Sequence, residues 1–313
     1  MATIRRYSTT QKEEWNRFVS NSRNGTFLFH REYMEYHSDR FQDSSLLFFS
    51  KQPDLIAVMP ASIAGDVMTS HAGLTFGGIV SDDRMRVTTM MEVFQGLMRY
   101  LKEADVKKLV YKAIPHIYHS VPAEEDLYAL FLLDARLIRR DVSSTIFMAD
   151  RVPFVKERRW CVRKGLSQGT KVEPSADFAS FMEIEEKNLE SRHGVRPTHT
   201  KEEMVLLASR FPENIRLFAA VRDGRMEGGV IVYESKNVAH TQYIASTEEG
   251  RKTYVADCVL DYLINEHYVN KRYFDFGIST ENAGRFLNSS LSDYKSTFGA
   301  KATVYDTYEI KCE

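Results

Sequence analysis

The stretch NIRLFAAVRDGRMEGGVIVYES, residues 214–235, decides the fold class of the second half of the chain. Two runs rich in branched and aromatic residues flank the tetrapeptide RDGR. An Asp-Gly pair between such runs is typical of a tight β-hairpin turn. We therefore predict two antiparallel strands here, and the next run, NVAHTQYIAS (residues 237–246), has the composition of a third strand.

Helical periodicity surrounds these strands. Apolar residues recur at helical spacing in residues 177–192 and 200–211, before the hairpin, and in residues 253–269, after the third strand. The run RYFDFGIS (residues 272–279) closes the order as a fourth strand. Two helices, three antiparallel strands, a helix and a strand form an α+β order.

The first half of the chain repeats this order. Helices are predicted at residues 10–22, 28–41 and 87–104. A hairpin is predicted at residues 44–64 around the turn KQPD, a third strand at 66–80 and a closing strand at 107–115. Because the two halves share one order, we predict a duplicated domain, with residues 1–150 and 151–313 each forming a mixed, mainly antiparallel sheet flanked by helices.

Composition narrows the class of protein. The 313 residues carry a net charge of −1, which gives no global attraction to nucleic acid or anionic lipid. Apolar runs are too short for a transmembrane segment, although peripheral membrane contact stays open. Three widely spaced cysteines, Cys161, Cys258 and Cys312, form no CxxC pair. We therefore predict a cytoplasmic protein with no metal site.

Three stretches carry a resemblance to a known family. They are residues 193–220, DFGISTENAGRFLNSSL (275–291) and DYKSTFGA (293–300). Together with the element order, they resemble the FemABX-like branch of the GNAT-fold acyltransferase superfamily, whose members carry two tandem GNAT domains. The resemblance implies an N-acyltransferase in which an acyl donor lies between two central strands that splay apart. It covers residues 155–308 in motif and nearly the whole chain in architecture.

The resemblance also implies catalytic residues. A lysine in an aromatic-Lys-x-x-Phe-Gly setting lies near the transfer centre in that family, and Lys295 matches it. An ammonium there would stabilise the oxyanion or neutralise a donor phosphate; the alternative is a surface ion pair with Asp293. Asp275 and Tyr243, on neighbouring predicted strands, are candidate general bases, and Asp275 could equally belong to a structural hydrogen-bond network. Phe298 is expected to anchor the following turn.

The donor site is predicted at the end of the third strand. Acetyl-CoA-dependent GNAT enzymes carry R/Q-x-x-G-x-G/A there, and this chain has RKTYVA, with Tyr254 at the first glycine position. A side chain there crowds backbone approach to a phosphate, which favours aminoacyl-tRNA over acyl-CoA as the donor. The predicted donor-binding residues are Ile244, Ala245, Ser246, Arg251, Lys252, Tyr254 and Tyr294.

Two further features concern partners. The run GLTFGG suggests a backbone-lined groove for the acceptor at Gly73, Phe76, Gly77 and Gly78, or a strand bulge needed for packing. Arg158, Arg159, Arg163 and Lys164 surround Trp160, and this cluster could bind RNA by charge and stacking or be an ordinary solvated face.

These observations predict an enzyme that moves an acyl or aminoacyl group to an amine of a cell-envelope precursor or a sugar nucleotide. An acetyl-CoA-dependent N-acetyltransferase acting on an amino sugar or small molecule is the first alternative. A non-catalytic binding module that retains the fold is the second, because fold alone does not fix function.

Overall fold

The computed structural model describes residues 2–50 and 54–312, so residues 51–53 of the predicted KQPD turn lie outside the described residues. The chain forms two compact units. The first consists of Met1–Asp141, Thr280–Phe286 and Val304–Glu313, and the second of Val142–Ser279 and Leu287–Thr303. The predicted linear division at residue 150 differs from this, because two C-terminal segments group with the first unit. Domain boundaries therefore stay a prediction.

The helices are numbered in chain order. They are α1 (Lys12–Asn21), α2 (Arg31–Met34), α3 (Val87–Glu103), α4 (Glu125–Leu132), α5 (Lys156–Ser167), α6 (Phe178–His193), α7 (Lys201–Arg210), α8 (Glu248–Lys252), α9 (Val255–Tyr262) and α10 (Ser289–Ser296). A π-helical turn, Leu263–His267, extends α9. Short 3₁₀ turns lie at Thr9–Gln11, Phe27–Phe29, Glu35–His37 and His116–Tyr118.

The strands are numbered in the same way. They are β1 (Thr3–Arg6), β2 (Gln42–Asp43), β3 (Leu46–Phe49), β4 (Leu55–Met59), β5 (Ser62–Ala64), β6 (Val67–Thr69), β7 (Val80–Ser81), β8 (Lys108–Lys112), β9 (Arg136–Phe147), β10 (Lys171–Ser175), β11 (Ile215–Arg222), β12 (Arg225–Glu234), β13 (Val238–Ser246), β14 (Tyr273–Ile278), β15 (Thr280–Glu281), β16 (Phe286–Leu287) and β17 (Lys301–Lys311).

The sheet of the second unit is mainly antiparallel. Its order is β10-β11-β12-β13-β14, followed by the part of β9 that belongs to this unit. The predicted hairpin forms β11 and β12, and Asp223 and Gly224 both adopt positive φ, as a type I′ turn requires. The α+β class and the mixed, mainly antiparallel sheet are thus confirmed.

The one parallel pair of this sheet, β13 with β14, separates soon after it begins. Three residue pairs are in register, from Val238↔Tyr273 to His240↔Asp275, although β13 continues to Ser246. Both strands are irregular there: β13 has a bulge opposite Ile231 and Val232, and β14 shifts its register with β9 between Asp275 and Ile278. The two strands therefore leave a gap beyond residues 240 and 275.

Apolar side chains close one face of this sheet. Val255, Val259 and Leu263 of α9 and its π-helical extension pack on Phe218, Val230 and Phe274 of the strands. Phe298, which is fully buried, joins this core and contacts the rings of Phe154, Phe276 and Tyr294. Phe298 is thus buried as expected of an anchor, and the next residue, Gly299, has φ +87°, a backbone conformation that glycine adopts without strain.

The first unit is less regular than predicted. Pro60 ends the strand predicted at residues 55–64, so β4 lies in the sheet β1-β3-β4-β7 while β5 lies in the sheet β17-β8-β6-β5-β2. The strand predicted at residues 66–80 is also broken, into β6 and β7. The helix predicted at 28–41 shortens to α2 between two 3₁₀ turns. Three expected elements of the first half are therefore wrong in extent.

We predict that Phe298→Ala lowers the free energy of unfolding by about 3–5 kcal/mol, the usual cost of removing a buried phenyl ring. Phe131, which is 74% exposed on α4, supplies the matched control, and Phe131→Ala should change stability little. Urea unfolding of both variants tests this. Equal effects of the two substitutions would show that Phe298 does not anchor the turn.

Candidate functional site

A cavity of about 300 Å³ lies where β13 ends in the second unit. It is bounded by the end of β13, the α8–α9 segment, one turn of α6 and α10. Its lining residues are Asn188, Ile244, Ser246, Gly250, Arg251, Tyr254, Val255, Ala256, Asp257 and Tyr294. Five of the seven predicted donor-binding residues, Ile244, Ser246, Arg251, Tyr254 and Tyr294, therefore surround one space.

The other two predicted donor-binding residues do not line this cavity. Ala245 is buried in β13, and its carbonyl lies against Gly228 of the neighbouring strand. Lys252 is exposed on α8, where its ammonium pairs with the carboxylate of Glu248 at 3.0 Å. Neither residue is placed to contact a molecule in the cavity, because one faces the sheet and the other is engaged by its own helix.

Arg251 is held at the rim of the cavity. Its Nη1 donates to the side-chain oxygen of Asn188 at 2.6 Å and to the carbonyl of Ser246 at 2.9 Å. Asn188 also donates its amide to the Ser246 carbonyl at 2.9 Å. A guanidinium has five N–H donors, so hydrogen bonds from Arg251 stay available for a ligand. Asn188 was not predicted from the sequence.

Tyr254 has the backbone conformation of a glycine. It precedes α9 with φ +58° and ψ +33°, in the left-handed region that costs a bulky residue about 1–2 kcal/mol. The sequence placed this tyrosine at the glycine position of a phosphate-binding loop. The loop therefore keeps a glycine-like backbone while a phenol ring lines the cavity. That ring packs edge-on against Trp160, with ring centroids 5.6 Å apart.

A buried ion pair closes the side of the cavity nearest α5. The carboxylate of Asp257, in the first turn of α9, pairs with the guanidinium of Arg158. Burial raises the pKa of Asp257, against the opposing effect of Arg158. The same guanidinium lies 5.0 Å from the ring centroid of Tyr294. Arg158 therefore has a structural partner, and only the remaining cations of the predicted basic cluster face solvent.

Lys295 is buried on α10 beside the gap between β13 and β14. Its Nζ donates to the carbonyl oxygens of Gly277 and Ile278, both at 2.8 Å, at the irregular end of β14. The predicted alternative, a surface ion pair with Asp293, is wrong, because only 4% of Lys295 is exposed. Burial lowers the pKa of Lys295 to about 8, while nearby Asp275 opposes this effect. An ammonium has three donors, so one N–H remains beyond these two bonds.

Asp275 accepts several hydrogen bonds in the interior. Its carboxylate accepts from Ser143 Oγ at 2.6 Å, Thr145 Oγ1 at 2.7 Å and His240 Nδ1 at 2.7 Å. Burial raises its pKa, but hydrogen bonds from His240 and the two hydroxyls outweigh burial, so the pKa is lower than usual. A carboxylate so satisfied binds another proton weakly. These contacts favour the structural network over the general base.

Tyr243 is also engaged. Its hydroxyl lies 2.7 Å from Nδ1 of His199 and accepts the backbone N–H of His199 at 3.2 Å. Burial raises the pKa of Tyr243 to about 12, and the charge of Glu185 contributes in the same direction. A phenol with this pKa stays protonated near neutral pH. Its geometry suits it to position a neighbour or a substrate rather than to accept a proton.

Glu185 is a titratable residue that the sequence reading missed. It lies on α6, next to the turn that contributes Asn188, and only 8% of it is exposed. Burial raises its pKa to about 7. The sequence did contain a signal, because Phe178, Phe181 and Met182 mark the buried stripe of α6 and Glu185 continues it with a charged residue.

The predicted acceptor residues lie in the first unit and contact its interior. A side chain at Gly77 would collide with the carbonyl of Ser70, and one at Gly78 would meet the hydroxyl of Tyr111. Gly73 lies against the ring of His37. Phe76 is buried and packs edge-on against Phe29. Packing thus explains the small residues of this run, and the acceptor groove stays a prediction.

A stripe of unpaired cations lies on α5. Lys156, Arg159, Arg163 and Lys164 recur at helical spacing on its exposed side, around Trp160, which is 48% exposed. Among residues 2–50 and 54–312, no carboxylate forms an ion pair with these four side chains. Cys161, Val162 and Gly165 form the buried side. The sequence predicted Arg159, Arg163 and Lys164 of this stripe, but neither Lys156 nor the helix that aligns them.

The described residues contain neither a metal-binding cluster nor a membrane-spanning helix. Within the described ranges, no group of three or more histidine, cysteine, aspartate or glutamate side chains is arranged to bind a metal ion. None of the helices described is both long enough and apolar enough to cross a membrane.

Comparison with solved structures identifies the fold. FemX superposes with a TM-score of 0.69 over 97% of this chain and 96% of that chain, at 12% identity. A C-terminal domain (DUF2156) assigned to lysylphosphatidylglycerol synthetase from Agrobacterium fabrum gives 0.63, covering 96% and 92%, at 10% identity. A tandem GNAT protein from the clavulanic acid biosynthesis pathway gives 0.51, covering 100% and 99%, at 10% identity.

Sequence comparison matches a smaller part of the chain than structural comparison does. No curated protein sequence matches this chain. Residues 155–296 match a family described as the acetyltransferase (GNAT) domain. The matched residues contain the cavity, the gap between β13 and β14, and Lys295. The predicted resemblance is therefore confirmed: the chain has the tandem GNAT fold of the FemX type, and its residues 155–296 match the GNAT acetyltransferase domain family.

Proposed function

We propose that this protein is an N-acyltransferase of FemABX-like type, which moves an acyl or aminoacyl group from an activated donor to an amine in the cytoplasm. The observation that carries this proposal is a cavity at the end of β13, beside the gap between β13 and β14, with Lys295 bound at the end of β14. The match of residues 155–296 to a GNAT domain supports it.

The gap supplies the positioning that acyl transfer requires. A donor held against Ile244, Ser246 and Arg251 would direct its acyl group along β13, where the strands no longer pair. The remaining N–H of Lys295 would donate to the carbonyl oxygen as negative charge develops on it. Catalysis would then come from orientation and charge stabilisation, with no covalent enzyme intermediate.

An aminoacyl-tRNA suits the entrance to this cavity. The phenol of Tyr254 lines the cavity at the position where a glycine would expose the loop backbone, and a side chain there disfavours the pyrophosphate of acyl-CoA. Trp160 contacts Tyr254 and lies among four unpaired cations of α5. An aromatic platform with flanking cations is suited to a single-stranded nucleic-acid end, which stacks its bases and pairs its phosphates.

The acceptor is the less defined substrate. We propose an amine on a cell-envelope precursor or a sugar nucleotide. The structural likeness to FemX and to the lysylphosphatidylglycerol synthetase domain is in keeping with an envelope acceptor, although at 10–12% identity it concerns the fold. The predicted groove at Gly73–Gly78 belongs to the same proposal.

A second candidate is an acetyl-CoA-dependent N-acetyltransferase. One observation favours it: Tyr254 keeps the left-handed backbone that a glycine would adopt in a pyrophosphate-binding loop. If the phenol swings aside, the backbone N–H groups that begin α9 become available to an anion. The two candidates therefore differ in the position of one side chain.

A thermal-shift screen tests the proposal directly. Acetyl-CoA, CoA, UDP-sugars and charged tRNA would each be added to the full chain, because a ligand that binds the native state raises its Tm. Ligands that raise the Tm would then enter transfer assays with amine acceptors. Failure of every donor–acceptor pair to react would favour a non-catalytic binding module.

We predict that Lys295→Met lowers turnover by about 10²-fold or more, the scale for losing one preorganised charge-stabilising group. Since the charged form acts, wild-type turnover should fall as pH rises through about 8, the pKa of Lys295, and the variant should lack this fall. The exposed Lys301 supplies the control, and Lys301→Met should keep both the rate and the profile.

The same variants report on stability. The folded-state pKa of Lys295 lies below its ordinary 10.5, so the folded chain releases this proton first and wild-type stability should rise between pH 8 and 10.5. Lys295→Met removes that rise and leaves two carbonyls unsatisfied. Unchanged turnover together with a lower Tm would show that Lys295 only holds the end of β14.

We predict weak or undetectable acetyl-CoA binding, because of the phenol of Tyr254, and stronger binding by Tyr254→Gly, since glycine accepts φ +58° without strain. Isothermal titration measures both. Tight stoichiometric binding by the wild type, lost in Arg251→Ala, would contradict the aminoacyl-tRNA preference and favour the second candidate.

Binding of aminoacyl-tRNA, the donor of the first candidate, can be measured in the same way. The double variant Arg159→Gln and Arg163→Gln should weaken it and reduce the salt slope by about two, if each arginine contacts one phosphate. An unchanged salt slope would place the RNA elsewhere.

A further inference from the structure

Glu185 is a buried carboxyl without a partner. Its side chain lies on the face of α6 that packs on β12 and β13, and no hydrogen bond or ion pair joins it to another residue of the described chain. Buried carboxylates are normally paired or hydrogen-bonded, because water no longer solvates the charge. Lys201 of α7 does not serve this role, since it pairs with Glu183 on the exposed side. Glu185 therefore interrupts the apolar stripe of α6 without a hydrogen bond or ion pair among the described residues.

The position of Glu185 links it to the gap. Its charge acts on the hydroxyl of Tyr243, which lies on β13 beyond the last residue paired with β14. One turn along α6, Asn188 lines the donor cavity and binds Arg251. Glu185 is therefore associated with β13 at the gap, while Lys295 is bound to the end of β14.

We propose that Glu185 is the general base that accepts the proton of the attacking amine. This inference rests on the proposed acyl transfer. The amine lone pair forms a C–N bond with the acyl carbon, and the resulting N–H⁺ gives its proton to the Glu185 carboxylate. The C–O bond of an aminoacyl ester, or the C–S bond of a thioester, then breaks. The leaving oxygen or sulfur takes the proton from Glu185 and restores the carboxylate.

The neighbouring groups are less suited to this role. Asp275 already accepts three side-chain hydrogen bonds, and its pKa is lowered. Tyr243 has a pKa of about 12 and is bonded to His199. Burial alone raises the pKa of Glu185 to about 7, with no charged neighbour contributing, and a base near the working pH is the most effective. The charge of Glu185 acts on Tyr243 of β13, whose hydroxyl is in turn bonded to His199, just before α7.

The pH dependence of the Tm tests, without any substrate, whether Glu185 lacks a partner. Since the pKa of Glu185 is raised from 4.5 to about 7, the native chain holds this proton more tightly than the unfolded chain. The protonated Glu185 therefore stabilises the native chain fully below pH 4.5, and this stabilisation is lost as the pH rises through 7. Glu185→Gln should therefore raise the Tm relative to wild type at pH 8 but not at pH 4. A lower Tm of the variant at both pH values would show that Glu185 has a structural partner and would overturn the inference.

Kinetics test the catalytic role. With the donor–amine pair found in the screen, Glu185→Gln should lower kcat by about 10²–10⁴-fold. It should also abolish the fall in rate below pH 7. Glu186→Gln, at an exposed position of the same helix, is the control and should keep the rate and the profile. The combination of a higher Tm and a lower kcat would not arise from a purely structural residue.

The proposed function and the role of Glu185 can be refuted separately. If wild-type protein transfers an acyl group and Glu185→Gln does so at the same rate with an unchanged acid limb, the assignment of Glu185 is wrong and the proposed function stands. If wild-type protein transfers no acyl group to any amine, the proposed function fails and the role of Glu185 fails with it, whatever the titration shows.

Discussion

The buried ammonium of Lys295, bound to the carbonyls of Gly277 and Ile278, is the interaction on which the candidate site depends. Beyond residues 240 and 275, β13 and β14 no longer satisfy each other's backbone groups. Polar groups that leave a sheet in the interior need other partners. Lys295 supplies two donors at the end of β14, and Gly277, at φ +75°, gives the backbone the turn that presents its carbonyl. The same contacts that stabilise the irregular strand also fix a positive charge beside the gap.

Charge in the second unit is distributed unequally around this gap. Asp275 is surrounded by donors, and Asp257 is paired with Arg158, so both can stay ionised in the interior. Among the described residues, Glu185 and Lys295 form no ion pair, and burial moves their pKa values towards each other, to about 7 and about 8, with nearby Asp275 opposing the shift of Lys295. Environments that shift the pKa values of an acid and a base towards neutral pH are typical of sites that transfer protons. The paired groups are the framework, and the unpaired groups are the candidates for chemistry.

The sequence predicted what local pattern determines and missed what tertiary contacts determine. The hairpin β11–β12 and the helices α6 and α7 follow from turn chemistry, caps and periodicity, and they form as predicted. The strand expected at residues 66–80 is broken, since close packing around Gly77 takes the place of pairing. The inclusion of residues 304–313 in the first unit depends on pairing between β17 and β8, two strands about 200 residues apart, which no local pattern shows. Glu185 was missed because its significance lies in the absence of a partner.

Tyr254 combines a glycine-like backbone at the start of α9 with a side chain that a glycine lacks. Its strained left-handed conformation persists although a tyrosine gains nothing locally from it, so the surrounding α8–α9 segment must impose it. The phenol then does two things that a glycine cannot do. It lines the cavity, and it contacts Trp160, which lies beside the exposed cations of α5. Under the proposed function, a small pyrophosphate-bearing donor would lose backbone contacts through this side chain, whereas a longer polyanionic donor would gain a stacking surface outside the cavity. On that proposal, the residue at position 254, rather than the fold, is the feature that would separate the two donor classes.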